Sequence, residues 1–166
     1  MPQRRYPPAL LAAFLLADVG CTKQPPAQVR SIAPSDRVAP SPVGTTQTVL
    51  QKTFNLRAST TFSFEIPAHA AQPHLHGIFE SFVGQVHGAS DETANIDFLI
   101  LNQEQQAAFA GNRASEALFS VEASHNQAVN FDLPASMNQP VKYYIVFRNS
   151  QAQISKVVEA NFHVDF

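Results

Sequence analysis

Apolar side chains occupy every second position at the end of this chain, and this rhythm constrains the fold more than any other feature. From Val158 to Phe166 each even-numbered residue is apolar, and the residues between them are polar: Glu159, Asn161, His163 and Asp165. Successive side chains of a β-strand point to opposite faces of a sheet. The segment 157–166 is therefore predicted to be a strand with one buried face.

The same two-residue period recurs in short segments from about residue 47 onward. Gly, Pro, Asn and Ser residues separate these segments, as is typical of turns. Segments 96–101 and 141–148 are apolar on both faces, which predicts two central strands. A helix of a turn or two is expected at 103–110. The predicted strands are 49–56, 61–66, 75–83, 96–101, 117–122, 129–133, 141–148 and 157–166.

These segments predict an all-β domain over residues 47–166. Short strands at regular spacing with polar turns indicate an antiparallel jelly-roll-like β-sandwich of about eight strands, and not a sheet built from βαβ units. Twelve of the 13 phenylalanines fall in this region, enough to fill one core between two sheets. Only 14% of the chain is charged, which argues against a coiled coil or a disordered chain.

The first twenty residues have the pattern of a signal peptide. Arg4 and Arg5 precede nine consecutive apolar residues, Ala9 to Ala17. A permanent membrane-spanning helix needs about twenty apolar residues, so this run is too short to span a bilayer. Residues 1–20 are therefore predicted to be a signal peptide, and the chain is expected to be exported.

The only cysteine, Cys21, directly follows this segment. Val19-Gly20-Cys21 resembles the end of a bacterial lipobox, although Asp18 stands where that motif usually has leucine. The resemblance implies cleavage before Cys21 and attachment of acyl chains that hold the protein on a membrane. The alternative is cleavage after a small residue, which would release a soluble protein with a free thiol.

Residues 21–46 are predicted to be a disordered linker. Five prolines stand among Ser, Thr, Gln and Ala, and no apolar period is present. A Pro-rich chain extends by about 3 Å per residue, so this segment could hold a domain several tens of Å from a bilayer. An ordinary flexible leader would have the same composition.

Six segments of the predicted sandwich follow one another in a distinctive order: Ile66-Pro67-Ala68, Gly77-Ile78-Phe79, 95–101, Leu133-Pro134, 143–149 and 156–160. In this order they resemble a group of uncharacterised bacterial exported lipoprotein-type β-sandwich domains. The domain is more distantly similar to the GOLD domain and to bacterial pre-peptidase C-terminal domains. The resemblance implies a jelly-roll fold and a non-catalytic accessory or binding role, and it assigns no functional residues.

His74 and His76 are the sharpest chemical candidates. Two histidines at i and i+2 on a strand share one face, Glu80 has the same parity, and His87 follows. The group resembles the first cupin motif, which implies a metal-dependent enzyme as an alternative function. The other interpretation places both histidines on the solvent face of a strand, with Leu75 and Gly77 turned inward.

Other candidate sites have weaker support. Asp91, Glu92 and Asp97 could line a calcium loop, but a solvated turn is the simpler reading. A carbohydrate-binding β-sandwich is a further alternative, although the domain has no Trp, and Tyr143 and Tyr144 should point to opposite faces.

Catalytic motifs are missing from the sequence. The chain has no Gly-x-Ser-x-Gly motif, and His69, His125 and His163 occur singly. A net charge of -2 does not favour nucleic acid as a partner. We therefore expect a non-catalytic, lipid-anchored binding module of the bacterial cell envelope, without a cofactor. Its expected partners are the membrane, through the lipid, and an envelope protein or polymer.

Overall fold

The computed structural model describes residues 43–84, 92–114 and 116–166, and these residues form an all-β domain. The eight predicted strands are present, and so is the short helix, α1. The strands are β1 (Thr46–Leu56), β2 (Ser59–Ile66), β3 (His74–Phe82), β4 (Ile96–Asn102), β5 (Phe119–Ser124), β6 (Asn126–Asp132), β7 (Val141–Arg148) and β8 (Lys156–Asp165). A 3-10 helix covers Glu92–Ala94, and α1 covers Gln103–Ala110.

The strands form two four-stranded antiparallel sheets. The first sheet has the order β1-β8-β3-β6 and the second the order β2-β7-β4-β5. The chain changes sheet at every connection between consecutive strands except the one from β4 to β5, which contains α1. This strand order is that of a jelly roll. The predicted fold class is therefore confirmed, and β4 and β7 are inner strands, as their two apolar faces indicated.

Phenylalanine rings fill the space between the sheets. Phe79 and Phe162 come from the first sheet, Phe98 and Phe147 come from the second, and all four are fully buried. Phe98 lies at the centre, with ring centroids 5.4 Å from Phe79, 5.2 Å from Phe162 and 5.4 Å from Phe147. Stacked and edge-to-face rings at these separations add about 0.5–1.5 kcal/mol per pair beyond burial of their area.

The helix α1 begins at a capping box. Asn102 Oδ1 accepts a hydrogen bond from the backbone N–H of Gln105 at 2.8 Å, and Gln105 Oε1 accepts one from the Asn102 N–H at 2.9 Å. These two bonds satisfy donors that the first turn of a helix otherwise leaves unpaired. The cap explains why a helix of only eight residues begins directly at the end of β4.

The connection between β6 and β7 crosses from one sheet to the other, so these strands do not form a hairpin. It is held by the loop that follows β2. Ser136 is buried; its hydroxyl accepts a hydrogen bond from the Ala70 N–H and donates one to the carbonyl of Pro67. The Ser136 N–H donates to the Ala70 carbonyl at 2.9 Å.

Several features predicted from the sequence lie outside the described residues. These are the signal peptide 1–20, Cys21, the linker as far as residue 42, His87 and Asp91. In the described part of the chain, β1 starts at Thr46, and none of the helices there has the length and apolar character that a membrane span requires.

Candidate functional site

The outer face of the first sheet carries the two histidines that the sequence predicts as candidate metal ligands. Along β3, Leu75 and Phe79 point into the core and are fully buried, whereas His74 and His76 point outward and are half-buried. The predicted shared face of the two histidines is therefore confirmed. A cupin-type site would have them turned to the interior of the barrel, but both imidazoles point away from it.

Strand pairing brings a third histidine to this face. His163 of β8 lies directly opposite His76 of β3 in the register of the two strands. The ring centroids of His76 and His163 are 5.6 Å apart, and those of His74 and His76 are 6.1 Å apart. We call these three residues the histidine cluster. In the sequence alone, His163 is an isolated residue on the polar face of a strand. Its neighbours follow only from the register of β3 with β8.

Two aspartates border the histidine cluster. His74 is paired in register with Asp132 of β6 on one side and with Asp165 of β8 on the other. His74 Nδ1 donates to Asp132 Oδ1 at 2.7 Å. Because a carboxylate only accepts hydrogen bonds, this contact places the proton of neutral His74 on Nδ1 and leaves Nε2 as its lone-pair nitrogen.

The first strand completes the surroundings of the cluster. The Thr48 hydroxyl is hydrogen-bonded to His163 Nδ1 at 3.1 Å. The Thr46 hydroxyl donates to Asp165 Oδ1 at 2.6 Å. This bond is the main cause of the lowered pKa of Asp165. Desolvation opposes it, and the neighbouring His76 and His74 add to it. Four strands therefore contribute side chains to one polar patch.

His76 occupies the middle of the cluster and has an unusual environment. Its side chain is 36% exposed, but its Nε2 atom is shielded from solvent and makes no hydrogen bond. Asp165 Oδ2 lies 3.2 Å away, within ion-pair distance but without the geometry of a hydrogen bond. This contact is an ion pair only when His76 is protonated.

Glu80, the third residue of the cupin-like prediction, lies on the same face but outside the cluster. It is opposite Glu159 of β8 and Asn126 of β6. With Ile78, Gln51 and Asn161, these two glutamates line a groove of about 420 Å³. Ile78 is 49% exposed, which makes it an apolar side chain in the middle of a polar surface.

The acidic residues predicted as calcium candidates do not form one loop in the described structure. Glu92 begins the 3-10 helix, whereas Asp97 lies in β4 and is buried. Asp97 Oδ2 accepts from Arg148 Nε and from the Ser150 hydroxyl, each at 2.9 Å. Its Oδ1 accepts from the Ala123 N–H at 3.1 Å. Asp97 is therefore an internal anchor and not part of a solvated turn.

The two neighbouring tyrosines point to opposite faces, as predicted. Tyr143 is 3% exposed and lies against Phe64, with ring centroids 5.9 Å apart, and burial raises the pKa of its hydroxyl. Tyr144 is half-buried on the other face, and Lys142 Nζ lies 5.6 Å from the centre of its ring. Only Tyr144 is available to line a surface.

Two other histidines of the described residues, His69 and His125, lie between strands and outside the cluster. His125 Nδ1 is hydrogen-bonded to Asn95 Oδ1 at 2.9 Å, and His69 occupies a left-handed backbone position with φ of 64°. Across the described ranges, no three His, Cys, Asp or Glu side chains are arranged to hold a metal ion as they stand.

A second surface hollow, of about 570 Å³, lies near the end of α1. Arg113, Asn112, Asn149 and Arg148 line it. Arg148 is already engaged with Asp97, so its guanidinium is only partly available to a ligand.

No protein-family model matches this chain, and the search of curated proteins also gives no significant match.

Proposed function

We propose that this protein is a non-catalytic binding module of the bacterial cell envelope. In this proposal the chain is exported, Cys21 carries a lipid that holds it on a membrane, and the Pro-rich linker spaces the sandwich from the bilayer. The sandwich then contacts an envelope protein or polymer through its outer surface. The observation that carries the binding role is the filled interior of the jelly roll.

The interior offers a ligand no room around the central phenylalanines. Phe79, Phe98, Phe147 and Phe162 are each 0% exposed and contact one another across the two sheets. Jelly rolls that bind small molecules inside the barrel need a cavity there. Contacts with a partner must therefore come from an outer sheet face or from the loops.

The outer face of the first sheet has the side chains that such a partner would need. The groove presents carboxamides from Gln51 and Asn161, carboxylates from Glu80 and Glu159, the ammonium group of Lys52 and the exposed apolar side chain of Ile78. Amide and carboxylate groups give directional hydrogen bonds, and an apolar centre adds burial. This combination suits a polar partner surface with a small apolar projection.

The charge of the domain supports attachment through lipid and not through the sandwich itself. Residues 47–166 contain six Lys and Arg against eleven Asp and Glu. A net negative domain is repelled by anionic headgroups. Acyl chains supply the missing attraction, at about 0.8 kcal/mol for each buried CH₂.

The anchor is tested by the intact mass of the full chain extracted from bacterial membranes. We expect the mass of a chain that begins at Cys21 and carries acyl groups. Cys21→Ser should lose this mass and appear in the soluble fraction. An unmodified thiol in the wild-type protein, or equal membrane attachment of the Cys21→Ser protein, contradicts the anchor.

The binding face is tested by photo-crosslinking in cells. A crosslinking amino acid at residue 78 in the groove should give a discrete adduct. The control is the same amino acid at Met137, which is 76% exposed in the connection between β6 and β7. Adducts from residue 137 and not from residue 78 would show that this face is not the binding surface.

A further inference from the structure

We infer that the histidine cluster is a binding site for a divalent transition-metal ion, with His74, His76 and His163 as ligands. His74 and His76 stand at i and i+2 on β3, and His163 faces His76 from β8. These three imidazoles lie side by side on one face of two neighbouring strands. The site does not depend on the lipid anchor or on an envelope partner.

The two ring spacings that involve His76 are close to what a metal requires. A metal bound about 2 Å from each of three nitrogens in tetrahedral geometry places the ring centres roughly 5 Å apart. The observed separations are 5.6 Å between His76 and His163 and 6.1 Å between His74 and His76. The three donor atoms do not converge as they stand, so binding needs rotation of the rings.

Partial exposure makes this rotation feasible. The side chains of His74 and His76 are 38% and 36% exposed, so neither ring is locked into the core. The contact between His74 and His76 is a stacked one, with an angle of 18° between the ring planes. Turning the rings about their side-chain torsions exchanges stacking for coordination without moving the strands.

The surrounding oxygens prepare the imidazoles for coordination. Metal-binding histidines usually donate their second N–H to a carboxylate, a carbonyl or another oxygen, which fixes the tautomer. His74 Nδ1 already donates to Asp132, which leaves the lone pair of neutral His74 on Nε2. His163 Nδ1 is hydrogen-bonded to the Thr48 hydroxyl, which can accept from it in the same way.

His76 supplies an independent observation that points to a ligand. Its Nε2 atom is screened from solvent, and Asp165 Oδ2 lies 3.2 Å away, at ion-pair distance but outside good hydrogen-bond geometry. A metal ion at this position would satisfy the nitrogen, and the carboxylate of Asp165 would balance part of the charge. The fourth coordination position would then be filled by Asp165 or by water.

The donor set selects the class of metal. Imidazole nitrogens favour Zn²⁺, Cu²⁺ and Ni²⁺, whereas Ca²⁺ and Mg²⁺ take oxygen ligands. We therefore expect Zn²⁺ to bind, and we expect Ca²⁺ and Mg²⁺ not to compete with it.

The test is titration of Zn²⁺ into the full chain, without a histidine tag and with Cys21→Ser so that the thiol cannot bind metal. Calorimetry should show one Zn²⁺ per chain. His76→Ala and His163→Ala should weaken binding by at least about tenfold, since the loss of even an outer-shell partner has that effect. Asp132→Asn should weaken it by about tenfold.

The matched control is Glu80→Gln, which should bind Zn²⁺ like the parent chain. Circular dichroism without metal shows whether each variant is folded, and His163→Gln replaces His163→Ala if the alanine variant is not. The absorption spectrum of the Co²⁺ complex reports tetrahedral nitrogen coordination independently. Absence of binding at about 100 µM Zn²⁺, which means a Kd weaker than roughly 100 µM, overturns the site. The site is also overturned if the Glu80→Gln variant loses Zn²⁺ binding while the His163→Gln variant retains it.

Discussion

Gly77 of β3 lies directly opposite Phe162 of β8, and the Phe162 ring covers the position where a side chain at residue 77 would be. A Cβ atom built on Gly77 would be 2.6 Å from Phe162 Cδ1 and 2.8 Å from Phe162 Cα, and closer still to the Asn161 carbonyl oxygen. Two of these three atoms belong to the backbone of β8 and cannot turn away. The glycine thus allows β3 and β8 to pair with a large ring between them.

Gly77→Ala is therefore expected to destabilise the domain by about 1–3 kcal/mol, the usual range for overpacking, or by more. Urea denaturation followed by circular dichroism measures the change in the free energy of unfolding. The matched control is Gly111→Ala after α1. There an added Cβ would meet its nearest neighbours at 3.4 Å, an ordinary contact. Equal effects of the two substitutions would contradict the close approach at Gly77.

Asp97 should make stability depend on pH in the acid range. Burial alone would raise the pKa of its carboxyl, but the hydrogen bonds from Ala123 and Ser150 and the Arg148 guanidinium outweigh burial and lower it. A carboxyl with a pKa lower in the folded than in the unfolded state stabilises the fold above the unfolded pKa. This stabilisation is lost as the pH falls below 3.8, the ordinary pKa of an aspartate, and through the lower pKa of the folded state.

Asp97→Asn should destabilise the domain by about 1.5–3 kcal/mol at pH 6, the range for a hydrogen bond to a charged group. The difference from wild type should shrink as the pH is lowered from 6 to below 3.8. The control is Glu65→Gln on the exposed face of β2. A wild-type minus Asp97→Asn difference that is constant over this pH range would show that the carboxylate charge contributes nothing.

The sequence predicts those features that depend on neighbouring residues. The pattern of apolar residues predicted all eight strands, and the alternation of side chains along a strand placed Tyr143 and Tyr144 on opposite faces. The double-faced apolar segments identified β4 and β7 as inner strands. Each of these features follows from the local order of side chains along one strand.

The contacts that could not be predicted from the sequence depend on which strands pair with one another. His163 joins His76 only because β8 pairs with β3, and Asp97 meets Arg148 only because β4 pairs with β7. Lys156 is fully buried at the start of β8, with Nζ donating to the Asn95 carbonyl, although lysine is rarely buried. No local period encodes the register between distant segments, so these contacts required the structure.

Ser136 is expected to stabilise the connection between β6 and β7. Ser136→Ala removes the acceptor of the Ala70 N–H and the donor to the Pro67 carbonyl in a buried position. An unsatisfied buried donor costs about 1–3 kcal/mol, so a loss of this size is expected in urea denaturation. Ser63→Ala on the exposed face of β2 is the control and should change stability little. A loss below about 0.5 kcal/mol for Ser136→Ala would contradict the role of its hydroxyl.

Ala123 is a position where glycine should be better than the natural residue. It has φ of 51° in the irregular part of the pairing between β4 and β5, between Ile96 and Phe98. A left-handed backbone is strained by about 1–2 kcal/mol for a residue with a Cβ atom. Glycine removes this strain but adds flexibility to the unfolded chain, so Ala123→Gly should stabilise the domain by about 0.5–1 kcal/mol.

The control is Ala128→Gly in the regular, exposed part of β6, which should destabilise the domain by a similar amount. Thermal unfolding of both variants measures the two effects, and opposite signs are the expected result. Destabilisation by both substitutions would show that the backbone at residue 123 is not strained.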